Sequence, residues 1–264
     1  MKKTILIVLL VLFASVGVFA QSAKGMSHNG ATGLISIPTA RIGWDTSAEI
    51  GIDAGYHLIF ADRPDTTHIP KVGVSLFKVV EFAFAYDTQG GSKDADMLFN
   101  GKFELPIEGA THLALGANMQ GLKAKYWGDN REWATQIYVA ATYPGTFFKM
   151  PAETTVVFGK TFGDDAGAPK KAIDFGMGFD LLLFPDKFKN YIHWISDFSN
   201  FSYSLHAIGA NAWHRGTFNT GLRFDLSEVA ALSKFKFVID AQVTDLLDED
   251  RTFVIGATFG IGLK

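Results

Sequence analysis

Residues 252–263 read TFVIGATFGIGL, and sorting them by parity separates two kinds of side chain. Phe253, Ile255, Ala257, Phe259, Ile261 and Leu263 fall on one side. Thr252, Val254, Gly256, Thr258, Gly260 and Gly262 fall on the other. Successive side chains of a β-strand point to opposite faces, so a period of two marks a strand. This strand is greasy along one face and small or weakly polar along the other. It needs an apolar medium on one side and room on the other.

The same pattern runs through the chain. Ile50, Ile52, Ala54, Tyr56 and Leu58 alternate with Glu49, Gly51, Asp53, Gly55 and His57. Val80, Phe82, Phe84 and Tyr86 alternate with Glu81, Ala83, Ala85 and Asp87. Phe175, Met177, Phe179 and Leu181 alternate with Asp174, Gly176, Gly178 and Asp180. The spacing predicts strands near 47–58, 71–77, 80–87, 95–105, 111–121, 134–143, 153–162, 172–184, 190–199, 215–225, 234–245 and 251–263. Helical signal is weak; SEVAALS at 227–233 offers one turn.

A soluble sandwich or lipocalin-like barrel turns its apolar face inward, and a transmembrane barrel turns it outward to lipid. Three features favour the second. The apolar face is aromatic and runs for about ten residues per strand, the length of a tilted spanning strand. The opposite face carries Gly with isolated Asp, Asn, Glu and Arg, which suits a hydrated interior. The strands also follow one another in up-and-down order. Connections near 59–70, 88–94, 122–133, 163–171 and 200–214 are long and polar. Those near 78–79, 106–110, 144–152, 185–189 and 226–233 are shorter on average. Short periplasmic turns and longer outer loops are the habit of outer-membrane barrels. The expected fold is therefore all-β: a transmembrane up-and-down antiparallel barrel of about 12 strands. Ten and fourteen stay open, because Lys160 breaks the parity of 153–162 and NYIHWISDFS at 190–199 reads ambiguously. The chain ends Leu263-Lys264 rather than on the aromatic residue common at the end of such barrels.

Composition agrees with this reading. Charged residues make up 19% of the 264, aromatics 14%, and Phe alone occurs 24 times. The absence of cysteine removes disulfides and thiolate metal sites. Met1-Lys2-Lys3, then ILIVLLVLFASVGVF at 5–19, then Val18 and Ala20 at the −3 and −1 positions, read as a signal peptide cleaved before Gln21. The formal charge is −3, and −5 once Lys2 and Lys3 are removed, which argues against nucleic acid. The expected organisation is a signal peptide at 1–20, a lead-in or plug segment at 21–45, and an outer-membrane barrel at 46–264.

Residues 30–41, GATGLISIPTAR, stand apart from the strand pattern. Pro38 stops a helix, and Gly30 and Gly33 allow tight backbone turns. Gly30, Gly33, Leu34, Ile35, Pro38, Thr39, Ala40 and Arg41, with the strand that opens at Ala48-Glu49-Ile50-Gly51, resemble the start of YjbH-like outer-membrane proteins. The resemblance implies a barrel fold, here as a short single-barrel relative, and a link to exopolysaccharide production and export. The segment reads as a plug, a periplasmic docking strand, or a lead-in that seals the barrel's lower end.

Seven scattered histidines form no HExxH, and there is no G-x-S-x-G or P-loop. The expectation is no metal, no cofactor and no enzyme. A rim hydrolase built from His57, His112 or His193 with Ser75 or Ser196 is the weaker alternative. GDDAG at 163–167 and DLLDED at 245–250 read as turn chemistry or divalent-cation sites. KAKYWGDNREW at 123–133 reads as an aromatic girdle or a surface sugar contact. The inward parity collects Glu49, Asp53, Glu81, Asp87, Asn100, Lys102, Glu104, Asp174, Asp180, Arg223, Asp225 and Asp240 as candidate lumen-lining residues. They suit a narrow porin-like channel or export-linked pore for small or glycan-like solutes. The alternative is a closed structural or surface-interaction barrel with adhesin-like loops. Expected partners are outer-membrane lipid, the barrel-assembly machinery, and small solutes or polysaccharide.

Overall fold

The computed structural model describes residues 24–44, 48–60, 66–88, 95–122, 132–163, 173–201, 216–228, 235–247 and 251–263. Twelve antiparallel strands close into one barrel in sequence order. They are β1 Ile50–Phe60, β2 Thr66–Leu76, β3 Val80–Asp87, β4 Asp96–Glu104, β5 His112–Leu122 and β6 Glu132–Phe147. β7 Met150–Phe162, β8 Asp174–Leu182, β9 Ile192–Ser199, β10 Thr217–Asp225, β11 Phe235–Thr244 and β12 Thr252–Leu263 complete it. A short helix, α1 at Pro185–Phe188, sits between β8 and β9. β12 pairs with β1 from Ile50↔Leu263 to Phe60↔Phe253, so TFVIGATFGIGL is the closing seam. Closure pairs the first strand with the last, so no strand of the wall is a free edge.

The two faces of the wall divide as the parity predicts. Ile52, Phe82, Phe99, Ile137, Phe158 and Ile255 are exposed on the outside. Their chain neighbours Asp53, Glu81, Asn100, Gln136, Val157 and Val254 are buried on the inside. At the end where β1 begins and β12 stops, called here the terminal end, the connections are 77–79, 105–111, 148–149, 183–191 and 226–234. At the opposite, loop end they are 61–65, 88–95, 123–131, 163–173, 200–216 and 245–251, the longest being 200–216.

Two boundaries differ from the sequence reading. β2 starts at Thr66 rather than 71, and the predicted loop 59–70 shrinks to 61–65. Here Ile69 faces inward while His68 and Pro70 face outward, which inverts the polarity found elsewhere and hides the first half of the strand. The predicted turn 144–152 is mostly paired strand, with only Phe148 and Lys149 between β6 and β7. Pro144, Gly145 and Pro151 signal a turn. Pro144 is tolerated because β5 pairs with β6 only as far as Thr142, leaving that edge of β6 open.

The barrel is not hollow. Residues 24–44 lie inside it, with every residue from Gly25 to Ala40 buried. Leu34, Ile35, Ile37 and Ala40 form an apolar cluster with Ile59, Ile69, Tyr138, Val157, Ile195, Phe201 and Val254. The predicted signal peptide at 1–20, Gln21, Tyr126 and Trp127 of the aromatic loop, most of GDDAG, and residues 248–250 lie outside the described residues.

Candidate functional site in the barrel lumen

The inserted segment is a compact double loop held by its own backbone. Ser27 N donates to Ala31 O at 2.8 Å, His28 N to Ile35 O at 2.9 Å, Leu34 N to Ile37 O at 3.0 Å and Thr39 N to Thr32 O at 3.2 Å. Gly30 adopts φ +90°, which glycine takes without penalty. A Cβ on Gly33 would overlap the Ile37 carbonyl. These contacts account for the glycines of GATGLISIPTAR.

Three knots tie this loop to the wall. The first joins it to β3 and β4. Glu81 accepts from Thr32 N at 2.8 Å, Thr32 Oγ1 at 2.6 Å and Gly43 N at 2.9 Å. Lys102 Nζ lies 3.3 Å from Glu81 Oε1 and donates to the carbonyls of Thr32, Thr39 and Arg41 at 3.0, 3.1 and 2.7 Å. One buried ion pair thus gathers both strands of the loop.

The second knot is on β9 and β10. Asp197 Oδ2 accepts from the backbone N–H of Ile35, Ser36 and Ile37 at 2.9, 2.7 and 3.2 Å. Its other oxygen accepts from Ser36 Oγ at 3.0 Å and Asn219 Nδ2 at 2.7 Å. Successive N–H groups curved around one carboxylate make an anion nest. The loop supplies the nest and the wall supplies the anion.

The third knot is cationic. Arg223 is 1% exposed and grips Asp240 through Nε at 2.8 Å. Its Nη1 and Nη2 donate to Gly33 O at 2.9 Å and Leu34 O at 3.2 Å. Lys71 donates to Ser27 O at 2.6 Å and to His57 Nδ1 at 2.5 Å, and His57 Nε2 stands 3.7 Å from Asp240.

Below these knots the loop leaves through the terminal end. Arg41 donates to Glu153 at 2.8 Å and to His112 Nε2 at 2.7 Å. His112 Nδ1 donates to Glu104, which also accepts from Ile42 N at 3.1 Å. Trp44 Nε1 donates to Asp53 Oδ1 at 3.0 Å, and Lys236 pairs with Asp53 Oδ2 at 2.8 Å while standing 4.8 Å from the Trp44 ring centre. The small inner face of the last strand now has its reason. A Cβ on Gly256 would overlap His57, one on Gly260 would overlap Asp53, and one on Gly262 would stand 2.7 Å from Trp44. Towards the loop end lies a further polar layer, where Asp174 accepts from Gln136 at 2.8 Å and from Thr161, and Asp96 accepts from Gln120 at 3.1 Å. Asn29 extends a ladder of amides, donating to Asn118, which in turn donates to Gln136; both bonds are 2.9 Å. Asn100 donates to Asn118 and to Tyr138.

Of the predicted lumen set, Asp53, Glu81, Asp87, Asn100, Lys102, Glu104, Asp174, Asp180, Arg223 and Asp240 are buried inside the barrel. Glu49 is a correction. It precedes β1, is exposed at the terminal rim, and pairs with Lys78 at 2.9 Å. Its parity is inward, but the wall ends before it. Asp225 is half-buried at the last position of β10 and accepts from Ser227 N. Lys71, Glu153, Asp197 and Asn219 also point into the lumen, though the sequence reading passed over them. Strict parity extended through β2, β7 and β9 reaches the first three, and Asn219 shares the inward parity of Arg223 on β10. His193 faces the lumen, donating Nδ1–H to Asp180 at 2.6 Å. Ser196 has outward parity and donates to Asn219 O at 2.8 Å, so those two stand on opposite sides of the wall.

The chain can now be set beside known proteins. No family model matches the sequence, and no curated protein matches it. Among solved structures it is similar to the KdgM porin, with a TM-score of 0.50 at 5% identity over 80% of this chain and 99% of that one. The same values hold for the KdgM porin in complex with disordered oligogalacturonate. The NanC porin gives 0.50 at 7% identity, over 81% and 99%. What the chain shares with them is the fold, a closed antiparallel β-barrel. The likeness lies in architecture alone, and the packed lumen has to be read from this chain's own residues.

Proposed function

We propose that this protein is an outer-membrane, porin-like channel for small or glycan-like solutes, held shut by residues 24–44 and opened when that segment withdraws. The reading places the terminal end in the periplasm, after export by a cleaved signal peptide and insertion by the barrel-assembly machinery. It assigns the chain transport rather than catalysis.

One observation carries the proposal: the loop is fastened to the wall through charged and polar groups. A barrel closed only for rigidity is as well served by apolar packing, because buried ion pairs gain little over it. A polar fastening leaves a polar lining when it is undone. Withdrawal would remove the carbonyl partners of Lys71, Lys102 and Arg223 and the N–H partners of Glu81 and Asp197. The hydroxyls and carboxylates of an oligosaccharide can replace both kinds of partner. The oligogalacturonate bound by the KdgM porin is a ligand of that chemistry. The resemblance of residues 30–41 to YjbH-like proteins points the same way, towards polysaccharide. A permanently closed barrel is the second reading, favoured by the apolar cluster around Leu34, Ile35 and Ile37.

The test locks the loop. A Cβ built on Gly176 lies 2.9 Å from Ile37 Cγ2, within reach of a disulfide, and the chain has no other cysteine. The Ile37→Cys/Gly176→Cys protein in planar bilayers is expected to be silent when oxidised and to show discrete conductance steps when reduced. Equal conductance in both states would remove the plug from the mechanism. Silence in both, under voltage and with oligosaccharide present, would establish the closed barrel.

A further inference from the structure

The outer wall carries one feature that a channel does not require. Outward-facing side chains are exposed around most of the barrel, yet Ala152, Leu181 and Ser196 have outward parity and are 5%, 0% and 1% exposed. Part of the chain covers them. The β6–β7 hairpin runs past the end of β5, and its Phe147 ring reaches to 6.2 Å from Phe179 on β8. The tip therefore leans across the outside of the barrel. Beneath it lies a cavity of about 370 Å³. Met177, Phe179, Phe198 and Phe218 wall it, Ser196 lies at its base, and Phe147 forms its lip. Pockets that bury small ligands start at roughly 300 Å³.

The hairpin tip is built at a cost. Its two turn residues, Phe148 and Lys149, have φ of 49° and 65°. Such turns normally take Asn-Gly, because left-handed backbone suits residues without a bulky side chain. Phe148 is nevertheless 78% exposed, and its ring lies 4.4 Å from Phe147. The same Phe-Lys pair recurs in the β2–β3 turn as Phe77 and Lys78, again with positive φ and with Phe77 68% exposed. Backbone strain that displays an aromatic ring beside a cation points to an external contact.

We propose that the crevice under the β6–β7 hairpin binds one anionic phospholipid of the periplasmic leaflet, with an acyl chain in the cavity and the phosphate at Lys149. The inference rests on the membrane-spanning reading above. The crevice is continuous with the lipid-facing surface, since Phe147, Phe179 and Trp194 form one aromatic run across β6, β8 and β9. Its lining is apolar, so hydrocarbon is the occupant that leaves no polar group unpaired. Lys149 sits at the terminal end, where the headgroups of that leaflet lie, and anionic lipid surfaces attract juxtamembrane cations.

The test is native mass spectrometry of the full mature chain, refolded in non-ionic detergent with dioleoyl phosphatidylglycerol or phosphatidylcholine. One retained phosphatidylglycerol per barrel is expected. Lys149→Gln should lower the preference for phosphatidylglycerol over phosphatidylcholine about fivefold, the effect of one juxtamembrane charge. Ser196→Phe should fill the cavity and abolish retention of either lipid, with heat-modifiable migration unchanged. If that variant does not fold, Thr154→Leu fills the same cavity from β7. Retention unaltered by the filling variants overturns the proposal. So does a dimer that the filling variants dissolve, because the occupant is then a second copy of the chain. A chain that folds without detergent would fail the membrane reading itself, a different result from a detergent-folded barrel that holds no lipid.

Discussion

Two ion pairs, one in the lumen and one at the terminal rim, show how environment outweighs distance. Lys78 and Glu49 meet at 2.9 Å with side chains 41% and 57% exposed. Lys102 and Glu81 meet at a longer 3.3 Å with side chains 0% and 3% exposed. By length the rim pair is the better one. Water screens it, however, and such pairs contribute between nothing and about 1 kcal/mol. The lumen pair has lost its water, so each charge depends on the other and on the loop's amides and carbonyls. Removing one partner there leaves a buried charge uncompensated, at about 3–5 kcal/mol.

The sharpest way to break this comparison is Glu81→Ala in the full chain. Docking of residues 24–44 should weaken by about 3–5 kcal/mol, read as faster hydrogen exchange at Thr32 and Gly43 and as more frequent conductance steps. Pairing Glu81→Gln with Lys102→Met should recover most of that loss, because no charge is then stranded.

Asp197→Ala comes next. Three loop amides lose their acceptor, at about 1–3 kcal/mol, and exchange should rise at residues 35–37 while Thr32 and Gly43 stay protected. An equal rise at all five would mean that the loop releases as one unit and that the knots are not separable. Gly260→Ala sharpens the comparison at the seam. The added methyl displaces Asp53 and loosens Trp44 at a cost of about 1–3 kcal/mol, visible as a red shift in tryptophan emission. The smallest effect belongs to Glu49→Gln, at most about 1 kcal/mol and with conductance traces unchanged. A large effect there would mean that the rim pair is shielded from water by something bound to it.

Much of the fold was readable because a barrel wall repeats one simple rule. Residues such as Phe82 and Glu81 declare their faces by parity, and that holds along most strands. Legibility failed where the rule lapses. Around Ile69 the wall lines an apolar part of the interior, so the alternation inverts and the first half of β2, residues 66–70, reads as loop. In β9 the inward set is His193, Ile195, Asp197 and Ser199, and the outward set is Ile192, Trp194, Ser196 and Phe198. Neither set is uniformly polar or apolar, so Asp197 went unnoticed. Glu49 erred in the other direction, since parity carries no information about where a strand stops.

By itself the sequence determined which residues face outward, about how many strands there are, and that the last strand keeps one face small. Those are local properties, set by the two-residue period of an extended chain and by the need to satisfy every backbone group in hydrocarbon. Tertiary structure alone decided that the small face makes room for Trp44, His57 and Asp53, and that GATGLISIPTAR threads the lumen. It also decided which wall side chain meets which loop amide. Those pairings join residues up to 232 apart, such as Met26 and Thr258. They depend on shape and charge complementarity across a closed cavity, which no short window of sequence contains.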